Sequence, residues 1–127
     1  MRVVQDYFDE LHFTECLYGK PVLIGTSLQI PVSGLMPLRG HPLCGEGPLR
    51  GRLHFKTVAR SDREVTEYIG DSRNPDGFRE PYIVEDLQGA VSSESEATKY
   101  IFEGVQEEPE GWVDWTVCAN RFELMVE

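Results

Sequence analysis

Apolar and polar residues alternate with a period of two along most of this chain. Between Val22 and Val32 the even positions are Val22, Ile24, Thr26, Leu28, Ile30 and Val32, with Gly25, Ser27 and Gln29 between them. Successive side chains of a strand point to opposite faces, so the pattern sets one face on a core and the other in water. Leu53, Phe55 and Thr57 form an inward face opposed by Arg50, Arg52, His54 and Lys56. Val113, Trp115 and Val117 oppose Trp112, Asp114, Thr116 and Cys118, and Phe122, Leu124 and Val126 oppose Arg121, Glu123 and Met125. Trp115 is therefore the core candidate and Trp112 the outward one. Glu64–Ile69 and Tyr82–Leu87 are further β-rich runs, and Thr98–Gln106 is apolar enough to be covered on both faces.

The punctuation between these runs predicts the connections. Ala119-Asn120 reads as a tight hairpin link, because Asn tolerates a positive φ. Glu107–Gly111, with Pro109, joins Thr98–Gln106 to the next strand, and Arg60–Arg63 joins Leu53–Ala59 to Glu64–Ile69. Asn74-Pro75-Asp76-Gly77 is the strongest turn signal, since Pro presets φ and Gly accepts the left-handed position. Ser92–Glu96 reads as a solvated loop. At the start, Val3, Val4, Tyr7, Phe8 and Leu11 have helical spacing, whereas Leu11, Phe13 and Leu17 fit a strand. The fold implied is all-β: an antiparallel sandwich or partly open small barrel of about seven or eight strands, with a short N-terminal helix as an option.

Length confines this to one domain, 1–127, because 127 residues fall short of two domains at roughly 150 each. With 40% hydrophobic and 27% charged residues the composition is that of a globular chain. No apolar run approaches the roughly 20 residues of a bilayer span. The N-terminus is interrupted by Asp6, Asp9 and Glu10, and the three cysteines, Cys16, Cys44 and Cys118, are odd in number and widely spaced. Free thiols in a cytoplasmic protein are the expectation.

Charge narrows the partners. The net charge is −10, and all of it comes from residues 80–127, where twelve acids face only Lys99 and Arg121. Phosphate binding needs the opposite surplus, so nucleic acid and anionic membranes are excluded and a cationic protein is favoured.

Candidate chemistry is sparse. The loop Gly40–Pro48 places His41, Cys44 and Glu46 close together, and a Cys–His pair can act as nucleophile and base. His41-x-x-Cys44 falls short of a zinc site, which needs further ligands, while His12 and Cys16 lie about 13 Å apart along a strand. Ser72, Asn74 and Asp76 imitate the start of a calcium loop, but the closing Glu would fall on Ile83. No metal or cofactor is expected. Glu107, Glu108, Glu110 and Trp112 form an acidic tip beside an indole, a combination that suits a protein interface. Arg50, Arg52, His54 and Lys56 are expected to pair with acids such as Glu64 and Glu67 across strands.

These observations favour a non-catalytic interaction module that engages a cationic partner through Glu107, Glu108, Glu110 and Trp112. The alternatives are a small-molecule-binding barrel or small enzyme using the Gly40–Pro48 loop, and a homo-oligomer formed through exposed strands.

Overall fold

The computed structural model describes residues 2–68, 79–86 and 97–127. Its strands are β1 (Arg2–Gln5), β2 (Leu11–His12), β3 (Leu17–Tyr18), β4 (Val22–Ile24), β5 (Ser27–Pro37), β6 (Leu49–Glu67), β7 (Tyr82–Glu85), β8 (Thr98–Gln106) and β9 (Gly111–Val126). The all-β expectation holds, and of the two architectures it is the barrel that forms, fully closed. Five strands make the ring in the order β3-β5-β6-β9-β8, and β8 returns to β3. The closing contact is short and parallel, with Leu17 opposite Val105 and Tyr18 opposite Gln106. β1 extends the sheet beside β9, β2 and β4 pair with β5, and β7 pairs with β6.

Closure depends on one close approach. A Cβ on Gly104 would sit 2.6 Å from Tyr18 Cε2 and 2.8 Å from the Cys16 carbonyl oxygen. With glycine there, β3 can lie against β8, and the Tyr18 hydroxyl donates to the Glu103 carbonyl at 2.7 Å.

Aromatic rings fill the interior. Phe102 stacks between Phe55 and Trp115, at centroid distances of 5.7 and 5.5 Å, and Tyr18 meets Trp115 edge-on at 5.8 Å. Phe8 packs onto Phe13, Tyr100 and Phe122. Trp115 is fully buried and Trp112 half-buried, as the alternation required.

Four local expectations are corrected. Ala119-Asn120 is not a hairpin, because β9 continues through it, and Arg60–Arg63 is not a turn, because β6 is continuous. The two features are one irregularity seen on paired strands. Val58 lies opposite Ala119 and Arg60 opposite Cys118, so Ala59 is an extra residue, and nearby Thr57 takes a φ of 55°. The inward positions of β9 accordingly change from 113, 115 and 117 to 122, 124 and 126. A bulge and a turn both reverse the facing side, and only the long-range pairing distinguishes them.

In the other direction, the run Val22–Val32 is two strands, not one. Gly25, at φ 62°, and Thr26 turn the chain so that Ile24 faces Ser27, leaving Val22, Leu23 and Ile24 exposed. The N-terminal helix is replaced by β1 and one 3-10 turn, Phe8–Glu10, preceded by Asp6 and Tyr7 at positive φ. Pairing of Arg2–Gln5 with Glu123–Val126 outweighs the weak helical spacing. The Glu107–Gly111 connection is a hairpin turn, as expected. The Asn74–Gly77 turn, the calcium-like segment from Ser72 and the Ser92–Glu96 loop lie outside the described residues.

Candidate functional site

The β8–β9 hairpin carries the acidic tip, and four hydrogen bonds fasten its base. Glu107 N–H donates to the Tyr18 carbonyl at 3.0 Å, and Tyr68 N–H to the Glu110 carbonyl at 2.9 Å. The buried Gln106 side chain donates to the Pro109 carbonyl at 2.8 Å and accepts from Arg63 at 3.0 Å. Glu107, Glu108 and Glu110 are exposed. Their carboxylates therefore project from an anchored turn.

Below the tip the outer face is organised in rows by the register. Thr66, Trp112 and Val105 lie side by side across β6, β9 and β8, and the next row is Glu64, Asp114 and Glu103. Like charges directly opposite one another repel, and among the described residues none of these three acids forms an ion pair. Thr14 Oγ1 donates to Glu103 at 3.2 Å. Between Trp112 and the strand ends is a shallow cavity of about 360 Å³ lined by Tyr68, Val105, Glu110, Gly111 and Trp112. The structure thus brings Glu110 and Trp112 together, and adds Tyr68 and Val105, which sequence reasoning missed. Their signal is the pairing of Thr66 and Val105 with Trp112, which requires the register.

The Gly40–Pro48 loop separates its candidates. His41 is buried and Cys44 exposed. His41 Nδ1 accepts the Leu43 N–H at 3.0 Å, its Nε2 has no hydrogen-bond partner among the described residues, and the Tyr7 ring meets it edge-on at 5.8 Å. Burial lowers its pKa, with the Glu10 carboxylate opposing the effect, so the ring is neutral and bound into its own loop. Nδ1 accepts the backbone hydrogen bond, so in the neutral ring Nε2 carries the proton and neither nitrogen is free to act as a base for Cys44. Arg2 ties the loop down through Glu46 at 2.8 Å.

Cys16 is buried near the His12 and Gly34 carbonyls, at 3.7 Å from each, and burial pushes its thiol up to about 12. Cys16, Cys44 and Cys118 are free thiols. Among the described residues no three His, Cys, Asp or Glu groups converge on a metal position.

The basic face finds other partners than those expected. Because β6 is continuous, Glu64 and Glu67 lie along the same strand as Arg50–Lys56 and cannot oppose it. Glu123 of β9 receives His54 at 2.8 Å and Lys56 at 3.2 Å, while Arg52 donates to Gln29 at 3.0 Å and Arg50 approaches Glu127 at 3.7 Å. Burial pushes the Glu123 carboxyl up, but the hydrogen bonds and charges of His54 and Lys56 outweigh it and hold it below the ordinary range.

A second polar group is buried inside. Trp115 Nε1 donates to Ser61 Oγ at 3.0 Å, and Ser61 donates to Asp86 at 3.1 Å. The Arg63 guanidinium lies 5.1 Å over the Trp115 ring, with Nε 3.1 Å from Asp86. That N–H is not aimed along a hydrogen bond. Burial raises the pKa of Asp86, and Arg63 recovers only part of the cost. The inward parity of Ser61 and Arg63 with Val65 was the available signal for this cluster.

Set against protein-family models, curated proteins and solved structures, the chain finds no match. No helix among the described residues is long and apolar enough to cross a membrane.

Proposed function

We propose that this protein is a non-catalytic interaction module that engages a cationic protein partner through the β8–β9 hairpin. The observation that carries the reading is the anchored tip: Glu107, Glu108 and Glu110 are exposed on a turn held by hydrogen bonds to Tyr18, Tyr68 and Gln106. A preordered acidic surface loses little entropy on binding and steers a basic partner toward it. The aromatic filling of the barrel supports surface binding over an interior ligand. Free thiols and the surplus of negative charge suit a cytoplasmic setting.

The test reverses the tip. In the triple variant Glu107→Lys, Glu108→Lys, Glu110→Lys, a partner captured at low salt should associate about tenfold more slowly, with the difference shrinking as salt rises. Folding should change little, since exposed turn substitutions cost under about 0.5 kcal/mol each. An unchanged association rate removes the hairpin from the interface.

One observation favours a second reading, association between copies of this chain. Val22, Leu23 and Ile24 on β4 and Ile83 on β7 are 46, 43, 57 and 61% exposed, an apolar surface on short outer strands. Sedimentation of wild type and Ile24→Asp distinguishes the readings: a mass that is monomeric in both excludes self-association.

A further inference from the structure

We propose that the recess beneath the acidic tip receives an arginine side chain presented by a basic segment of the protein partner; the proposal rests on the interaction reading above and names what that surface recognises. The recess has about 360 Å³ of space, and among the described residues Tyr68, Val105 and Trp112 form apolar walls and Glu110 is the charged lining residue. Its walls come from the residue just after β6 and from β8 and β9. They are held in place by the Val105–Trp112 pairing and by the Tyr68 N–H to Glu110 carbonyl bond of 2.9 Å.

The lining selects its occupant by elimination. An uncharged apolar plug would cover Tyr68, Val105 and Trp112 but gain nothing from exposed Glu110 or the tip acids beside it. An anion would meet Glu110, the row Glu64–Asp114–Glu103 and the tip acids at once. A cation is attracted by Glu110 and by the negative field of the acids around the recess. Between the two basic side chains, the lysine ammonium is compact and strongly hydrated, whereas guanidinium is planar, weakly hydrated and stacks on aromatic faces. Its fork also matches a carboxylate in two parallel hydrogen bonds. Two aromatic side chains beside one carboxylate therefore fit arginine, by stacking and cation–π attraction at Trp112 and Tyr68 with Glu110 on the fork.

The experiment is a low-salt NMR titration of the labelled full chain with a short Gly/Ser peptide carrying one arginine, and with matched lysine and citrulline peptides. The arginine peptide should shift the Trp112 indole N–H and leave that of Trp115 unmoved. It should bind about tenfold more tightly than the citrulline peptide, which keeps the shape and lacks the charge, and more tightly than the lysine peptide. Trp112→Ala and Glu110→Gln should each weaken binding about tenfold, read on the Val105 and Gly111 amides, with thermal melts showing both variants folded. Equal binding of arginine and citrulline, or of arginine and lysine, overturns the proposal. If an oligolysine peptide shifts the Glu107–Glu110 amides while the arginine peptide leaves Trp112 unmoved, the recess assignment falls and the acidic-hairpin reading stands. If no basic peptide moves either set of resonances, both fall.

Discussion

Asp86 sits against Arg63 and Ser61 beside the Trp115 indole, while Glu123 lies between His54 and Lys56 on the outer side of β9. Both are carboxylates in contact with cations, and their proton affinities move in opposite directions. Burial dominates at Asp86 and raises its pKa, because a single ion pair does not replace the lost hydration. At Glu123 two donors on a strand neighbouring β9 outweigh a smaller burial cost, and the pKa falls. The difference teaches that an ion pair is a stability statement only once the water it displaces has been counted.

The strongest way to break the inner cluster is to remove its roof. Trp115→Ala should destabilise by about 3–5 kcal/mol, as for other buried large aromatics, whereas Trp112→Ala should cost under about 1 kcal/mol. Urea melts of the two variants check the order, and a larger loss for Trp112 would contradict the inward face assigned to β9.

Removing the inner cation comes next. Arg63→Met should cost about 3 kcal/mol at pH 7, since it leaves a buried carboxylate without its counter-charge. The sign of the pH dependence follows from the raised pKa: the stability linked to protonated Asp86 is complete below its unfolded value near 4 and is lost as pH rises through the folded value. The deficit of Arg63→Met should therefore shrink as pH falls from 7 toward the raised folded value, where Asp86 can take up its proton. A deficit independent of pH would mean that the variant acts through packing over Trp115 alone.

Glu123→Gln should be milder, about 1.5 kcal/mol at pH 7, the usual size of hydrogen bonds to a charged group. Its depressed pKa gives the reverse slope. The contribution is present above the unfolded value near 4.3 and disappears as pH falls through the lower folded one. Chemical melts between pH 7 and 3 should show a constant deficit down to about pH 4, then convergence with wild type.

His41 sharpens the comparison from a third side, as a buried titrating group with no ion-pair partner among the described residues. Its lowered pKa means that the unfolded chain takes up the proton first, so stability should fall as pH drops below about 6.5. His41→Asn keeps an acceptor for the Leu43 N–H and removes the titration. It should flatten the pH 7 to 5.5 stability slope by under about 1 kcal/mol, measured by urea midpoints.

Much of the hairpin was legible in the sequence, and the recess was not. Pro109 among glutamates marked the turn, and the Val113-Trp115-Val117 alternation marked which tryptophan faces inward. Tyr68 and Val105 carried no local signal, because a wall built from two other parts of the chain exists only once β6, β8 and β9 are in register. The basic face shows the same limit. Its charges were visible, but Glu123 became their partner only because β6 runs on past Arg60 instead of turning back.

The sequence by itself determined the class of structure: period-two alternation makes strands, and the acids of residues 80–127 fix where the negative charge resides. Tertiary structure alone decided that Thr57–Arg60 and Ala119-Asn120 are bends within two long strands, since a bulge and a turn switch the side-chain alternation alike and only the pairing of distant strands tells them apart. It alone also decided that the sheet closes. That rests on two residue pairs, Leu17 with Val105 and Tyr18 with Gln106, brought together across nearly ninety positions by the glycine at Gly104 and by aromatic packing inside the ring. Contacts that distant leave no periodic trace in the chain, because their stabilisation appears only after the strands between them have paired.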